Sequence, residues 1–189
     1  MEKRITLPLT EETARSLRAG DRVLLTGPVY TSRDAGHKRM VEALDRGEDL
    51  PFDPMDATIY YVGPAPAKPG QVIGSAGPTT SGRMDAYAPR MLSIGARGMI
   101  GKGARQPEVI EAMQRFGGVY FGAIGGAGAL MAKCIRSCDP IAYEDLGAEA
   151  LCRLWVEDMP LYVIIDSLGN NLYKTGPEAY RNRLSGDPV

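Results

Sequence analysis

The sequence holds one histidine, His37. A mechanism that needs a histidine pair, or a metal centre built on several, is therefore excluded within this chain. Cysteine is scarce as well: Cys134, Cys138 and Cys152 are the only three. An odd count without a secretion signal argues against a disulfide framework and makes reduced thiols the expectation. Neither sign of charge is in excess. Lys and Arg total 22, Asp and Glu 23, and the formal net charge is −1. Nothing global advertises a nucleic-acid or membrane partner, so an anionic ligand has to be held by local cations. Long apolar runs are missing too. No stretch approaches the roughly 20 apolar residues of a membrane span, and MEKRITLPLTEETARSL has no apolar core of signal-peptide length. The expected compartment is the cytoplasm.

What is present suits one domain over residues 1–189, since 189 residues with 44% hydrophobic and 24% charged composition can bury a full-sized core. Thr10-Glu11-Glu12 ahead of Ala14 and Leu17 reads as a capped short helix closed by Gly20. Arg22–Thr26 reads as a strand, broken by Gly27-Pro28 before a second extended piece, Val29–Thr31. Asp34 has the chemistry of an N-cap for the helix AGHKRMVEALDR, closed by Gly47. Ala57–Val62 is β-like, and Gln71–Gly74 is a further short strand candidate. Later come the helix PEVIEAMQRF, the strand VYFGAI, a helix GALMAKCIRS opened by a glycine run, and the strand Leu161–Asp166. This irregular mixture points to an α/β domain with a mixed sheet.

Five stretches could carry chemistry. Residues 77–87, GPTTSGRMDAY, concentrate hydroxyls, glycines and the Arg83 guanidinium in one turn-prone piece. Glycines let backbone N–H groups approach a ligand, and Arg83 offers a planar fork that matches a carboxylate; a plain polar turn fits the composition equally. Arg33-Asp34 reads as a cation beside a helix cap, and Lys102, between Gly101 and Gly103, as an anion-reaching lysine or an ordinary loop lysine. The glycine run at 122–128 matches neither phosphate-binding spacing, which leaves tight strand-to-helix packing or carboxylate capture at a helix start. Cys134 and Cys138, four apart on an expected helix, with Cys152 beyond, match no defensible cluster-ligand spacing.

Taken together, YTSRDAGHKR at 30–39, GPTTSGRMDAY at 77–87, MIGKG at 99–103 and the stretch at 122–135 resemble one family. It is the beta subunit of class I iron–sulfur fumarases and L-tartrate dehydratases, equivalent to the C-terminal domain where the two parts are fused. The similarity runs on through WVEDMPLYVIIDSLGNNLY, nearly the whole chain. The resemblance implies a swivelling β/β/α domain that closes on an alpha subunit, the holder of a 4Fe-4S cluster, while this chain binds none. It also implies that Thr79 is the catalytic base and that Arg33, Arg83 and Lys102 bind a small dicarboxylate. Nothing in the residues alone nominates Thr79, because a free hydroxyl is far too weak a base. Fumarate is the first substrate implied and L-tartrate the second. A non-catalytic anion-binding module is the alternative of another class, and self-association stays open.

Overall fold

The computed structural model describes residues 2–124 and 126–185, so Gly125 of the glycine run lies outside the described residues. The chain runs β1 (Glu2–Thr6), α1 (Glu11–Ser16), β2 (Arg22–Thr31), α2 (Asp34–Asp45) and β3 (Thr58–Tyr60). A 3-10 turn (Ser81–Met84) follows, then α3 (Ala88–Ser93), β4 (Gly98–Gly101), α4 (Pro107–Phe116), β5 (Val119–Gly122) and α5 (Gly128–Lys133). The chain closes with β6 (Ile135–Ala142), a second 3-10 turn (Glu144–Glu149), β7 (Leu151–Ile165) and α6 (Leu172–Ser185).

The seven strands form one mixed sheet in the order β1-β2-β3-β4-β5-β7-β6. β1 through β5 pair in parallel, whereas β7 runs antiparallel to β5, to β6 and back to β2. The pairing β2-β3-β4-β5-β7 therefore returns to its start, and β1 and β6 are left as edges. One face of these strands, with Leu25, Val29, Tyr60, Ile100, Phe121, Leu154 and Val163, packs into one core. The other face carries Ile59, Tyr61, Met99 and Tyr120 and is covered by Met40 of α2, Met91 of α3 and Met113 of α4. The expected α/β class with a mixed sheet is what the chain adopts.

Several boundaries differ from expectation, each for a physical reason. Gly27-Pro28 does not end β2. Burial alternates through it from Val23 to Thr31, and a register shift between Leu25 and Gly27 opposite β7 absorbs the irregularity. Gly27 is required there, with φ 133° and the Leu7 Cβ 2.8 Å from where its own Cβ would stand. The final strand is far longer than residues 161–166. Charged Glu157 and Asp158 and the proline at 160 disguise the half-exposed stretch 151–160, which turns at Asp158 (φ 48°) while its N–H is held by the Thr26 hydroxyl at 3.0 Å. Gln71–Gly74 is loop, not strand. The helix after the glycine run stops at Lys133, so Cys134 is its C-cap residue and Cys138 lies on β6; the expected helical spacing of those two thiols does not exist. β1, α3, β6 and α6 carry no clear sequence signal.

Helix α2 is tied to the strand ends through His37, which is buried and sits edge-on to the Tyr61 ring at 5.3 Å. The Arg33 carbonyl, 2.9 Å from His37 Nδ1, can only accept, so Nδ1 carries the proton and donates; the Ser32 hydroxyl lies 2.8 Å away. Burial holds the imidazole neutral and pulls its pKa down to about 4 from 6.5. The unfolded chain therefore binds a proton below pH 6.5 that the folded chain refuses. Stability from this group is complete above 6.5 and falls as pH drops toward 4, by a total of about 3 kcal/mol. Urea midpoints measured across that window should decline in the wild type and decline less in His37→Gln.

Candidate functional site

The four residues singled out lie at or beyond the carboxyl ends of neighbouring parallel strands. Arg33 follows β2, the segment 78–80 follows β3, and Lys102 directly follows β4. This is where open α/β sheets present ligand sites. Thr79 and its neighbours are threaded between the strand ends: Val62 pairs with Pro78 and Thr80 with Lys102. The Thr79 N–H donates to the Tyr61 carbonyl at 2.7 Å and the Ser81 N–H to the Lys102 carbonyl at 2.8 Å. Thr80 is thus paired with Lys102 by backbone hydrogen bonds, and Thr79, one residue before it, is held to Tyr61. The Thr79 side chain is half-buried and Lys102 exposed.

Asp34 joins the two arginines. Arg83 Nη2 donates to Asp34 Oδ2 at 2.6 Å, while Arg33 Nε stands 4.0 Å from Asp34 Oδ1. Both members of that longer pair are buried without a hydrogen-bond partner among the described residues. Asp34 is not the N-cap expected from sequence: the helix begins on it, with Arg33 as the extended cap residue. The reason is that Glu149, from the second 3-10 turn, takes over the capping. Its Oε2 accepts the Ala35 N–H at 3.1 Å, and its Oε1 lies 3.4 Å from Arg33 Nη2. Asp34 is left free to bridge guanidiniums. Burial works to raise its carboxyl pKa, but the hydrogen bond from Arg83 and the charges of both arginines hold it below the ordinary value. Arg33 also runs against backbone: a Cβ on Gly63 would stand 2.5 Å from Arg33 Nη1, so only glycine leaves the guanidinium its place.

Beneath this surface lies a support that sequence reading missed. Arg105 has no exposed side-chain area, and its Nε donates to Asp85 Oδ1 at 2.6 Å. The guanidinium carbon is 5.3 Å from the Tyr61 ring centre and 5.0 Å from that of Tyr120. Burial acts to lower the Arg105 pKa, but Tyr61 and Asp85 outweigh it and the net direction is up. Asp85 Oδ2 also accepts the Gln106 N–H at 2.8 Å, which starts α4. Tyr120 reaches Ser81 Oγ at 2.8 Å and donates to the Gly103 carbonyl at 3.0 Å. The turn that carries Arg83 is thus anchored at Ser81 and Asp85. Asp85 was visible within the motif; its partner 20 residues later had no signal.

The remaining candidates separate from this group. Lys102 also lines a groove of about 340 Å³ with Ile124, Tyr162, Leu172 and Tyr173, away from the arginines. Among the described residues no three His, Cys, Asp or Glu side chains gather as a metal-holding group. Cys134 donates toward the Leu130 carbonyl of its own helix, whereas Cys138 and Cys152 lie diagonally across the paired strands β6 and β7.

The two ion pairs differ in burial, and that difference gives a test. Removing Asp85 strands a buried guanidinium, so Asp85→Ala should cost ~3–5 kcal/mol in urea unfolding. The Asp34–Arg83 pair is 35% and 49% exposed, and Asp34→Ala should cost no more than ~1 kcal/mol. Equal losses would contradict the division into a structural pair and a surface pair.

With this geometry in hand, comparison with known proteins gives a consistent result. Residues 1–176 match the family model described as Fumarase C-terminus. The chain is 40% identical over 156 residues to "Fumarate hydratase 2" of Leishmania major, covering 82% of this chain and 28% of that protein. It is 40% identical over 155 residues to "Fumarate hydratase class I, aerobic" of Salmonella typhimurium, covering 81% of this chain and 27% of that protein. Against "Putative L(+)-tartrate dehydratase subunit beta" of Methanocaldococcus jannaschii, identity is 36% over 172 residues, with 88% of each chain covered. The chain therefore spans less than a third of these two fumarate hydratases but most of the tartrate dehydratase subunit. The chain belongs to the fumarase C-terminus family, as its motifs had indicated.

Proposed function

We propose that this chain is the beta part of a two-part iron–sulfur hydro-lyase that interconverts fumarate and L-malate, and that it works only with an alpha partner. The observation that carries the reading is the pair of guanidiniums, Arg33 and Arg83, drawn to one carboxylate, Asp34, at the carboxyl end of the parallel strands. Such a group is built to grip a carboxylate. In the free chain Asp34 holds Arg83 and Glu149 stands nearest Arg33, and an entering dicarboxylate would compete with them. Residues 1–189 act as one unit that swivels onto the partner.

The chemistry asked of these residues follows from the reaction. Dehydrating malate removes a proton from the carbon next to a carboxylate, which places a second negative charge on that carboxylate. Arg33, Arg83 and Lys102 would stabilise it as it develops. The same cations favour the ionised form of a nearby hydroxyl, which is how Thr79 becomes able to take the proton. The Thr79 hydroxyl has no hydrogen-bond partner among the described residues, while its backbone is fixed to Tyr61. A 4Fe-4S cluster held by the alpha partner would supply an open iron as Lewis acid for the departing hydroxyl.

L-tartrate is the second reading, favoured by the match to a dehydratase subunit of comparable length. Both substrates are dicarboxylates, and the clamp described here does not distinguish them.

Two variants of the assembled enzyme should fail differently. Thr79→Ala removes the base but leaves every cation, so kcat should fall ~10²-fold or more with little change in KM. Arg83→Lys keeps the charge and loses the planar fork, so KM should rise and kcat fall together. Both must still co-purify with the partner. A Thr79→Ala enzyme within a few-fold of wild-type kcat would remove Thr79 from the role of base.

A further inference from the structure

Cys138 and Cys152 have no part in the site described above, yet they are brought together from separate strands. β6 and β7 pair with Cys138 opposite Leu154 and Cys152 opposite Pro140. The cysteines are therefore diagonal neighbours, and side chains two apart along a strand share a face. Both pack against the core that contains Leu154 and both are half-buried, and the Cys152 thiol lies 3.7 Å from the Ala150 carbonyl. Cys134, also half-buried, points its thiol to the Leu130 carbonyl instead.

Three features make the pair reactive rather than inert. First, the neighbouring Cys138 thiol favours Cys152 as the thiolate against the effect of burial, while the same neighbour and burial push Cys138 up. One sulfur is thus the nucleophile and its neighbour the resolving thiol. Second, β6 is an edge strand that pairs only with β7, and Pro140, opposite Cys152, has no N–H to add to the ladder. The register is already irregular between Pro140 and Ala142. This edge can make the small approach that a disulfide needs from diagonal positions. Third, a cleft of about 320 Å³ lined by Pro64, Pro66, Val72 and Gly147 reaches the pair from the Cys138 side.

We propose that Cys138 and Cys152 form a two-cysteine redox site whose substrate class is small hydroperoxides and which closes to an intramolecular disulfide. The Cys152 thiolate attacks one oxygen of the hydroperoxide. An S–O bond forms, the O–O bond breaks, and the departing oxygen takes up a proton as alcohol or water. Cys138 sulfur then attacks Cys152 sulfur; the S–S bond forms, the S–O bond breaks, and the hydroxyl leaves with the Cys138 proton as water. Two thiols are oxidised and one hydroperoxide is reduced. A dithiol reductant reverses the process by exchange.

The sequence makes the test simple, because trypsin leaves Cys138 and Cys152 together in the peptide 137–153 and Cys134 in the peptide 134–136. The reduced full-length chain is treated with hydrogen peroxide at neutral pH, blocked with a thiol alkylator and digested. Peptide 137–153 should appear unalkylated and lighter by two hydrogens, peptide 134–136 should remain alkylated, and dithiothreitol should restore both thiols. In Cys138→Ser, Cys152 should stop at the sulfenic acid and be trapped by dimedone. Oxidation mainly at Cys134, cross-linking between chains, or full alkylation of 137–153 after peroxide would each overturn the proposal. The wild-type digest alone decides the matter if the variant fails to fold.

Discussion

The Arg105 guanidinium, stripped of water and lodged between the rings of Tyr61 and Tyr120, is the constraint on which the site depends. An isolated charge in that position would be prohibitive; Asp85 makes it tolerable. The pairing binds three separate pieces of chain. Asp85 belongs to the turn that carries Arg83, Tyr61 follows β3 and supplies the carbonyl that fixes Thr79, and Tyr120 on β5 reaches Ser81 and Gly103 on either side of Lys102. A buried ion pair of this kind adds little net stability compared with well-packed apolar residues. Its return is positional: it leaves one arrangement of the loop in which no charge is abandoned.

Above that foundation the arrangement changes character. Asp34, Glu149, Arg33 and Arg83 are partly exposed, and two of their polar atoms, Arg33 Nε and Asp34 Oδ1, are buried without partners among the described residues. Two guanidiniums, Arg33 and Arg83, are set against two carboxylates, Asp34 and Glu149, so the charges of this group balance in the free chain. Proteins accept such incomplete pairing where a ligand is to finish it, and the rigid layer below is what allows it.

Much of this was legible in the sequence, unevenly. PEVIEAMQRF gave its helix without error because proline at its start, apolar periodicity and the left-handed Gly117 at its end all agree. Thr10 and α1 followed from local capping chemistry. By contrast β7 hid its first ten residues, since a half-exposed antiparallel strand with charges and a proline carries little local signal. Among the candidate residues, Arg83 and Lys102 stood beside hydroxyls or glycines with a plain turn or loop reading equally open. Arg33 read first as a charge beside a helix cap, and Thr79 was reached only through resemblance. Glu149 and Arg105 escaped altogether. Glu149 acts on Ala35 from 114 residues away, and Arg105 looked like any charged loop residue until the fold buried it. Local chemistry is written locally; a cap supplied from another turn, or a charge made interior by packing, is not.

The family is shown by similarity over nearly the full chain, and the central claim is that the residues of this chain complete a catalytic site rather than form one. The most direct measurement is the rate of fumarate hydration by the purified chain alone, by a cluster-loaded alpha partner alone, and by the two mixed without oxygen. The expected result is turnover in the mixture only, saturating as the two parts reach a fixed ratio. Equal turnover by the alpha partner alone, or no turnover of fumarate, malate or tartrate by any mixture that forms a stable complex, would contradict it.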